Sequence, residues 1–439
     1  QCWAVLALKL FHNGPALPLS RRVPLLEHFG FSVVDETTHG IAGGRFHLHD
    51  MTLKVSDGEA FDAKRDAHRL QAAFLAVWSG EAESDGYNAL VLHAQLDWRT
   101  SSLFRAYSLY LRQVQIGLSQ DYLWSALARH TNIVKDLVKL SEARFMPSFD
   151  KDRKEAQRRA VKSIDVQLQA VQSIDEDTII RRFMNVIQST LRTNFYQKEA
   201  NGAPRKTLAF KLDPQAITDL PQPRPYREIW VYSPEVEGVH LRYGPVARGG
   251  LRWSDRAQDF RTEVLGLVKA QQVKNAVIVP VGAKGGFYAK QLPDPSADRN
   301  AWFEAGRETY KTFIRTLLSI TDNLSDHGLS APRDVVRHDA DDPYFVVAAD
   351  KGTATFSDTA NGIAQENNFW LDDAFASGGA AGYDHKKMCI TARGGWEAVK
   401  RHFREMDRDI QTQPFTAAGV GDMSGDVFGN GMLLSEQTR

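Results

Sequence analysis

Cysteine is nearly absent: Cys2 and Cys389 are the only two in 439 residues. A disulfide framework and a cysteine-rich metal centre are therefore both excluded by arithmetic. Net charge is also lacking, because 54 acidic residues balance 54 basic ones. A neutral chain offers no electrostatic footing for nucleic acid. No run approaches the roughly 20 uninterrupted apolar residues needed to span a bilayer. At the N-terminus a basic stretch, an apolar core and a small-residue cleavage site are all missing, so no signal peptide is read. Together these absences point to a cytoplasmic protein without nucleic-acid or membrane partners and without a metal.

What remains is globular composition, with 43% hydrophobic and 25% charged residues. A chain of 439 residues exceeds one ordinary core, because domains usually close at about 100 to 200 residues. Gln1 stands where a methionine would begin a chain, and Thr438-Arg439 follows closely on a Gly-rich turn, so both ends read as cut.

Residues 1–55 mix short apolar runs with turn signals, as in VPLLEHFGFSVVDET. There Val23 to Phe29 suits a helix end and Phe31 to Val34 a strand, the signature of a small α+β module. A polar tract from Lys54 to Phe61 leads into a region with the 3.6-residue period. Leu70, Phe74, Val77 and Trp78 share one face, as do Ile180, Phe183, Ile187 and Leu191, which predicts a mainly helical region over 56–215. NGAPRKT and LPQPRPYREIW bracket the change that follows. Beyond it, the strand candidates REIWVYS, NAVIVPV and YFVVAAD alternate with amphipathic helices such as Asp259 to Gln272. That alternation argues for an α/β domain with a partly parallel sheet over 216–365. Residues 366–439 read as the truncated beginning of a Rossmann-type domain. The fold class expected is thus multidomain, α+β and α/β together.

Chemistry concentrates in RYGPVARGGLRWSDRAQDFRTEVLGLVKAQQVKNAVIVPVGAKGGFYAK. Gly249-Gly250 follows Arg248 and Gly285-Gly286 follows Lys284, and bare glycine backbone beside a cation suits a carboxylate. With Lys274, these cations can hold a dicarboxylic substrate. Taken singly, Arg248 and Lys274 read first as solvated charges and the glycines as turns. Lys284, placed by this reading in the loop after the strand NAVIVPV, stands where open α/β sheets usually hold ligands. A lysine there serves as a base when burial or a second cation disfavours its charged form. Ten residues of straight strand would separate Lys274 from Lys284 by roughly 33 Å, so joint contact with one ligand requires a sharp bend near Pro280 to Gly282. VGAKGG is no phosphate-binding loop, because GxxxxGK[ST] needs a hydroxyl residue where Gly285 stands.

Downstream, YFVVAA delivers Asp350 to a strand end beside Lys351-Gly352-Thr353, as a proton carrier or as a cap of the next turn. In FTAAGVGDMSGDVFGNGM, an apolar stretch runs into Gly419, Gly421 and Gly425. This is a variant of the dinucleotide fingerprint whose glycines admit a pyrophosphate to a helix N-terminus. The acidic residue expected about 20 positions farther on would fall beyond Arg439.

Four segments in this order, RGGLRWSDR, VKNAVIVPVGAKGG, AADKGTATFSD and GVGDMSGDVFGNGM, resemble the large-subunit class of NAD-specific glutamate dehydrogenases. LPLSRRVPLLEHFGFSVVDE is similar to that class's ACT-like regulatory modules, and LDWRTSSLFRAYSLYLRQ to its helical motif region, so the resemblance spans nearly the whole chain. It implies NAD as cofactor, L-glutamate and 2-oxoglutarate as substrate and product, a homo-oligomer, and an amino-acid effector at the ACT-like module. Residue by residue, it implies that Lys284 is the catalytic lysine and Asp350 the aspartate moving protons at the substrate nitrogen. Arg248 and Lys274, with Gly249 and Gly250, match positions that hold the carboxylates. Small-subunit enzymes usually have lysine where Arg248 stands, and arginine can grip a carboxylate bidentately. Two rivals are another amino-acid dehydrogenase, against which Arg248 argues, and a non-catalytic regulatory piece, against which Lys284 and Asp350 together argue. A chain stopping at Arg439 is expected to bind NAD poorly and turn over little by itself.

Overall fold

The computed structural model describes residues 5–55, 62–274, 281–353, 355–382, 387–419 and 429–439. Strands β1 (Val5–Asn13), β2 (Phe31–Ile41) and β3 (Phe46–Val55) form an antiparallel sheet in the order β1-β3-β2, with helix α1 (Leu19–His28) between the first two. In central β3 every second residue from His49 to Val55 is buried, the period of a pleated strand with one covered face. Met51, Leu53 and Val55 pack on Leu25, Leu26, Phe29 and Phe31. The α+β module expected at the N-terminus is therefore present, with the helix and strand expected around Val23 and Phe31.

Helices follow: α2 (Ala63–Trp78), α3 (Ala89–His93), α4 (Trp98–Gln113), α5 (Gln120–Arg129), α6 (Thr131–Phe145), α7 (Arg153–Leu168) and α8 (Ile174–Ser189). Their starts are written locally. Asp97, Ser119, Asp152 and Ser173 each accept from backbone N–H groups of the first turn. Helix α4 is buried on nearly all sides, with Phe104, Tyr107 and Tyr110 at its centre, and the other helices gather around it. Ile180, Phe183 and Ile187 line the buried face of α8 as their spacing requires. Leu191 lies beyond the helix end, in strand β4 (Thr190–Thr193).

That strand opens a seven-stranded sheet: β5 (Leu208–Leu212), β6 (Arg227–Tyr232), β7 (Val236–Arg242), β8 (Ala247–Arg248), β9 (Leu251–Ser254) and β10 (Val281–Ala289) complete it. The sheet thus starts ahead of residue 216, where the substrate domain was expected to begin. Its first strands carry Arg192 and Lys211, which break the apolar pattern and are nonetheless buried. Asp322, Asp339 and Asp342 neutralise them through ion pairs at 2.5–2.9 Å, an arrangement invisible in the local sequence.

β4 to β7 run antiparallel, and β10 pairs antiparallel with β7 along one edge and parallel with both β8 and β9 along the other. Helix α9 (Phe260–Lys274) connects β9 to β10 and packs with α4 on one face, where Phe260 and Tyr110 meet Trp230. Helix α10 (Arg299–Leu318) covers the other face, Tyr310 and Phe313 packing on Phe287.

Two of the strands expected from sequence fare differently from REIWVYS, which is β6. Residues 275–280 of NAVIVPV lie outside the described residues. YFVVAA is not a ladder strand: it shows only bridge residues, with Val347 bridged to Ala376, although Phe345 and Val347 are buried as an apolar run demands.

The chain divides into two compact units, residues 1–346 with 350–353, and residues 347–349 with 354–439. The sequence had set the corresponding boundary at 365/366. The second unit contains α11 (Ser357–Glu366), α12 (Ile390–Arg404) and an isolated parallel bridge between Phe415 and Thr438. FTAAGV was expected to run as a strand, and among its described residues it shows only that bridge. No helix among the described residues is long and apolar enough to cross a membrane.

Candidate active site

β8 and β9 lie end to end along the same edge of β10, and Gly249-Gly250 is the joint between them. A methyl group at Gly249 would overlap the carbonyl oxygen of Ala283, so only glycine lets the joint cross β10 at this point. Gly250 then accepts a hydrogen bond from Gly285 N–H at 3.1 Å. The glycines of GAKGG meet the same need from the other side. A methyl at Gly285 would overlap Leu251, and one at Gly286 would lie 2.6 Å from Val264 of α9. These glycines are consequently interior strand positions of close approach. Lys284, expected in a loop after the strand, sits within β10 opposite Leu241.

The side chain of Lys284 is only 10% exposed, and its Nζ donates to Asp350 Oδ2 at 2.7 Å. Asp350 reaches it on a turn strapped to β9. Trp253 N–H donates to Lys351 O at 3.1 Å, and Thr353 Oγ1 donates to Leu251 O at 2.9 Å while accepting from Asp350 N–H at 3.0 Å. Gly352 takes φ +83°, and a methyl there would stand 2.8 Å from Trp253 Cβ, so glycine is required both by its conformation and by the closeness of β9. Asp350 is therefore at a β9-bound turn rather than at the end of a strand. Its backbone oxygen closes the turn with Thr353 N–H, and its side chain faces Lys284.

Burial would raise the Asp350 carboxyl. The hydrogen bond and charge of Lys284, the Lys351 N–H and the charge of Arg252 outweigh it and hold the group below the usual carboxylate range. Arg252 of β9 is the residue that sequence reasoning passed over. Its Nε lies 3.5 Å from Asp350 Oδ2, while its Nη1 donates to Glu263 Oε1 at 2.8 Å. Glu263, in the first turn of α9, also accepts from Ser254 Oγ at 2.7 Å. The available signal was position, because Arg252 lies two residues beyond the glycine pair that follows Arg248.

Of the expected site residues, Gly249, Gly250, Lys284 and Asp350 come together here. Arg248 is half-buried and pairs in register with Gly282, two residues before Lys284. Its charge is felt at Tyr344, whose hydroxyl burial pushes up against the opposing pull of Arg248 and Arg242. Lys274 is the last residue of α9. Lys284 lies within β10, and the residues between Lys274 and Val281 lie outside the described residues. Gly419 is described and exposed, whereas Gly421 and Gly425 fall outside the described residues. Chemically, the cluster presents a lysine donating to an ionised carboxylate, beside glycine backbone packed closely between β9 and β10.

Comparison with known proteins identifies the family. Residues 163–439 match the family model described as bacterial NAD-glutamate dehydrogenase, catalytic domain. Residues 82–147 match glutamate dehydrogenase helical motif 3, and residues 4–65 the glutamate dehydrogenase ACT3 domain. The chain is 52% identical over 437 residues to the NAD-specific glutamate dehydrogenase of Halomonas elongata, covering 98% of this chain and 27% of that protein. It is likewise 52% identical over 435 residues to the enzyme of that name from Pseudomonas aeruginosa, covering 98% of this chain and 27% of that protein. To the Neurospora crassa protein of the same name it is 25% identical over 341 residues, covering 72% of this chain and 31% of that one. The chain spans about a quarter of the length of the bacterial relatives it matches.

Proposed function

Since this chain belongs to the bacterial NAD-glutamate dehydrogenase family, we propose that it carries the substrate-binding and proton-transfer residues for oxidative deamination of L-glutamate to 2-oxoglutarate and ammonia. The observation that carries the reading is the Lys284–Asp350 pair at 2.7 Å, its lysine side chain only 10% exposed, where close-packed glycines bring β9, β10 and the turn at Asp350 together. Perturbed titratable groups cluster at functional sites.

Arg248 and Lys274, with the backbone of Gly249 and Gly250, hold the two carboxylates and so orient the α-carbon. Lys284 is the catalytic base. Having passed its proton to Asp350, its amine takes a proton from the water that attacks the carbon bearing the nitrogen. Asp350 returns a proton to that nitrogen as ammonia departs. NAD, when bound, supplies the hydride acceptor for the oxidation. Gly419, Gly421 and Gly425 would hold it, and the exposed backbone of Gly419 suits the approach of a pyrophosphate. Assembly as a homo-oligomer, an amino-acid effector at the N-terminal module and a cytoplasmic setting, where glutamate and NAD are both available, belong to the same proposal.

The test is glutamate-dependent NAD reduction by the full-length protein, with aspartate, leucine and phenylalanine as competing substrates. Glutamate selectivity that collapses in Lys284→Ala supports the reading. An unchanged rate in that variant moves the chemistry elsewhere.

A further inference from the structure

Two cations address one oxygen of Asp350. Lys284 Nζ is 2.7 Å from Oδ2 and Arg252 Nε is 3.5 Å from the same atom. The second distance is an ion-pair contact, too long for a hydrogen bond. Arg252 Nε is nevertheless buried, and it makes no hydrogen bond among the described residues. Buried donors are nearly always paired, so a donor left open beside an acceptor calls for a reason. The rest of the guanidinium is fixed: Nη1 is bound to Glu263, whose other oxygen is held by Ser254. Residues of α9 and β9 thus hold its plane with Nε turned to Asp350.

We propose that Arg252 is a positioning residue that takes over Asp350 Oδ2 when Lys284 leaves it to serve the substrate. The inference rests on the function proposed above. While Lys284 is bound to Asp350 it is not available to a substrate or a water. Once it turns away, Asp350 loses the one side-chain hydrogen bond it has among the described residues and stands as a carboxylate at a half-buried site, where burial favours the protonated acid. Lys284 turns to the substrate still charged, and a carboxyl that picks up a solvent proton meanwhile cannot accept the proton that the lysine must pass to it before its amine acts on water. A movement of about 0.5 Å closes the Arg252 Nε–H bond to Oδ2 and keeps the carboxylate charged.

The charged groups facing Asp350 are Lys284 from β10 and Arg252 from β9, and its own turn contributes the Lys351 N–H. Glu263 of α9 stands beyond Arg252 and is bound to it. Arg252 is therefore the one cation left to Asp350 among these groups when Lys284 is engaged elsewhere.

The experiment follows kcat and KM for glutamate against pH in the full-length wild type, Arg252→Gln, Arg252→Lys and Glu263→Gln, with thermal melts to establish folding. Loss of the cation is expected to move the acid limb of kcat upward by about one pH unit. In Arg252→Gln, kcat should fall at least tenfold while KM changes little. Arg252→Lys should keep the acid limb near its wild-type position, and Glu263→Gln, which loosens the guanidinium, should move it upward by less. If Arg252→Gln does not fold, the contrast between Arg252→Lys and Glu263→Gln decides. Superimposed pH profiles overturn the role of Arg252 while leaving the enzyme's function standing. So does a rise confined to KM, which would make Arg252 a substrate ligand. Absence of glutamate-dependent NAD reduction in the wild type overturns the function and this inference with it.

Discussion

Gly249 passes so close to Ala283 that the carbonyl oxygen of Ala283 occupies the place where any side chain at position 249 would begin. The obstruction is backbone, which cannot rotate aside as a side chain would. Gly249→Ala must therefore push β8 away from β10, shifting Arg248 relative to Lys284. Overpacking of this kind costs about 1–3 kcal/mol, and a displacement of one ångström at a reacting centre can cost a hundredfold in rate. We expect a fall in glutamate oxidation by the full-length protein that exceeds what its melting temperature accounts for. Wild-type kinetics in a stable Gly249→Ala protein would show that the joint tolerates the shift.

Asp350→Asn keeps the size of the side chain and removes its charge. The amide cannot accept the proton of Lys284, and general acid–base groups contribute roughly 10²–10⁴ in rate. We expect kcat to drop within that range, with a smaller change in KM for glutamate. Equal losses in kcat and 1/KM would instead assign Asp350 to substrate binding.

The fully buried pair Arg261–Glu228 joins α9 to β6 through two hydrogen bonds of 2.6 and 2.7 Å. Removing one partner strands the other charge in the core, which costs about 3–5 kcal/mol. Glu228→Gln should destabilise the protein strongly, whereas the double change Arg261→Met with Glu228→Gln should cost less than the single one. Additive losses in denaturant unfolding would contradict this coupling.

Burial, with the charge of Arg242, drives His240 down from 6.5 to about 3, against the opposing pull of Asp342. His240 is therefore neutral in the fold and charged in the unfolded chain below 6.5, so the stability it contributes is present above that pH and is lost as pH falls towards 3. Asp342 is held near 2, because the hydrogen bond and charge of Arg242 and the charge of Lys211 outweigh its burial. Its contribution is lost only between 3.8 and about 2. His240→Leu should flatten the decline in urea midpoint between pH 6 and 4 and leave the steeper loss below. A decline parallel to wild type would place the acid lability at other groups.

Local sequence was sufficient wherever a periodic pattern, a cap or a glycine determined the outcome. The apolar spacing of Leu70 to Trp78 and of Ile180 to Ile187 marked helices, and REIWVYS marked a strand. The order of the glycine-rich segments carried the family, and with it Lys284 and Asp350 as candidates. The fold decided everything that depended on neighbours distant in the chain. Arg192 and Lys211 obscured two strands because their compensating aspartates lie more than 100 residues away. GAKGG looked like a loop because glycine signals a turn when read alone, yet here it admits Leu251 and Val264 to the face of β10. Arg252 carried no chemical signal at all until β9 set it beside Asp350. Residue types and their spacing fixed which side chains were available for proton transfer, whereas their meeting at one carboxylate oxygen required the tertiary packing of β9, β10 and the turn at Asp350.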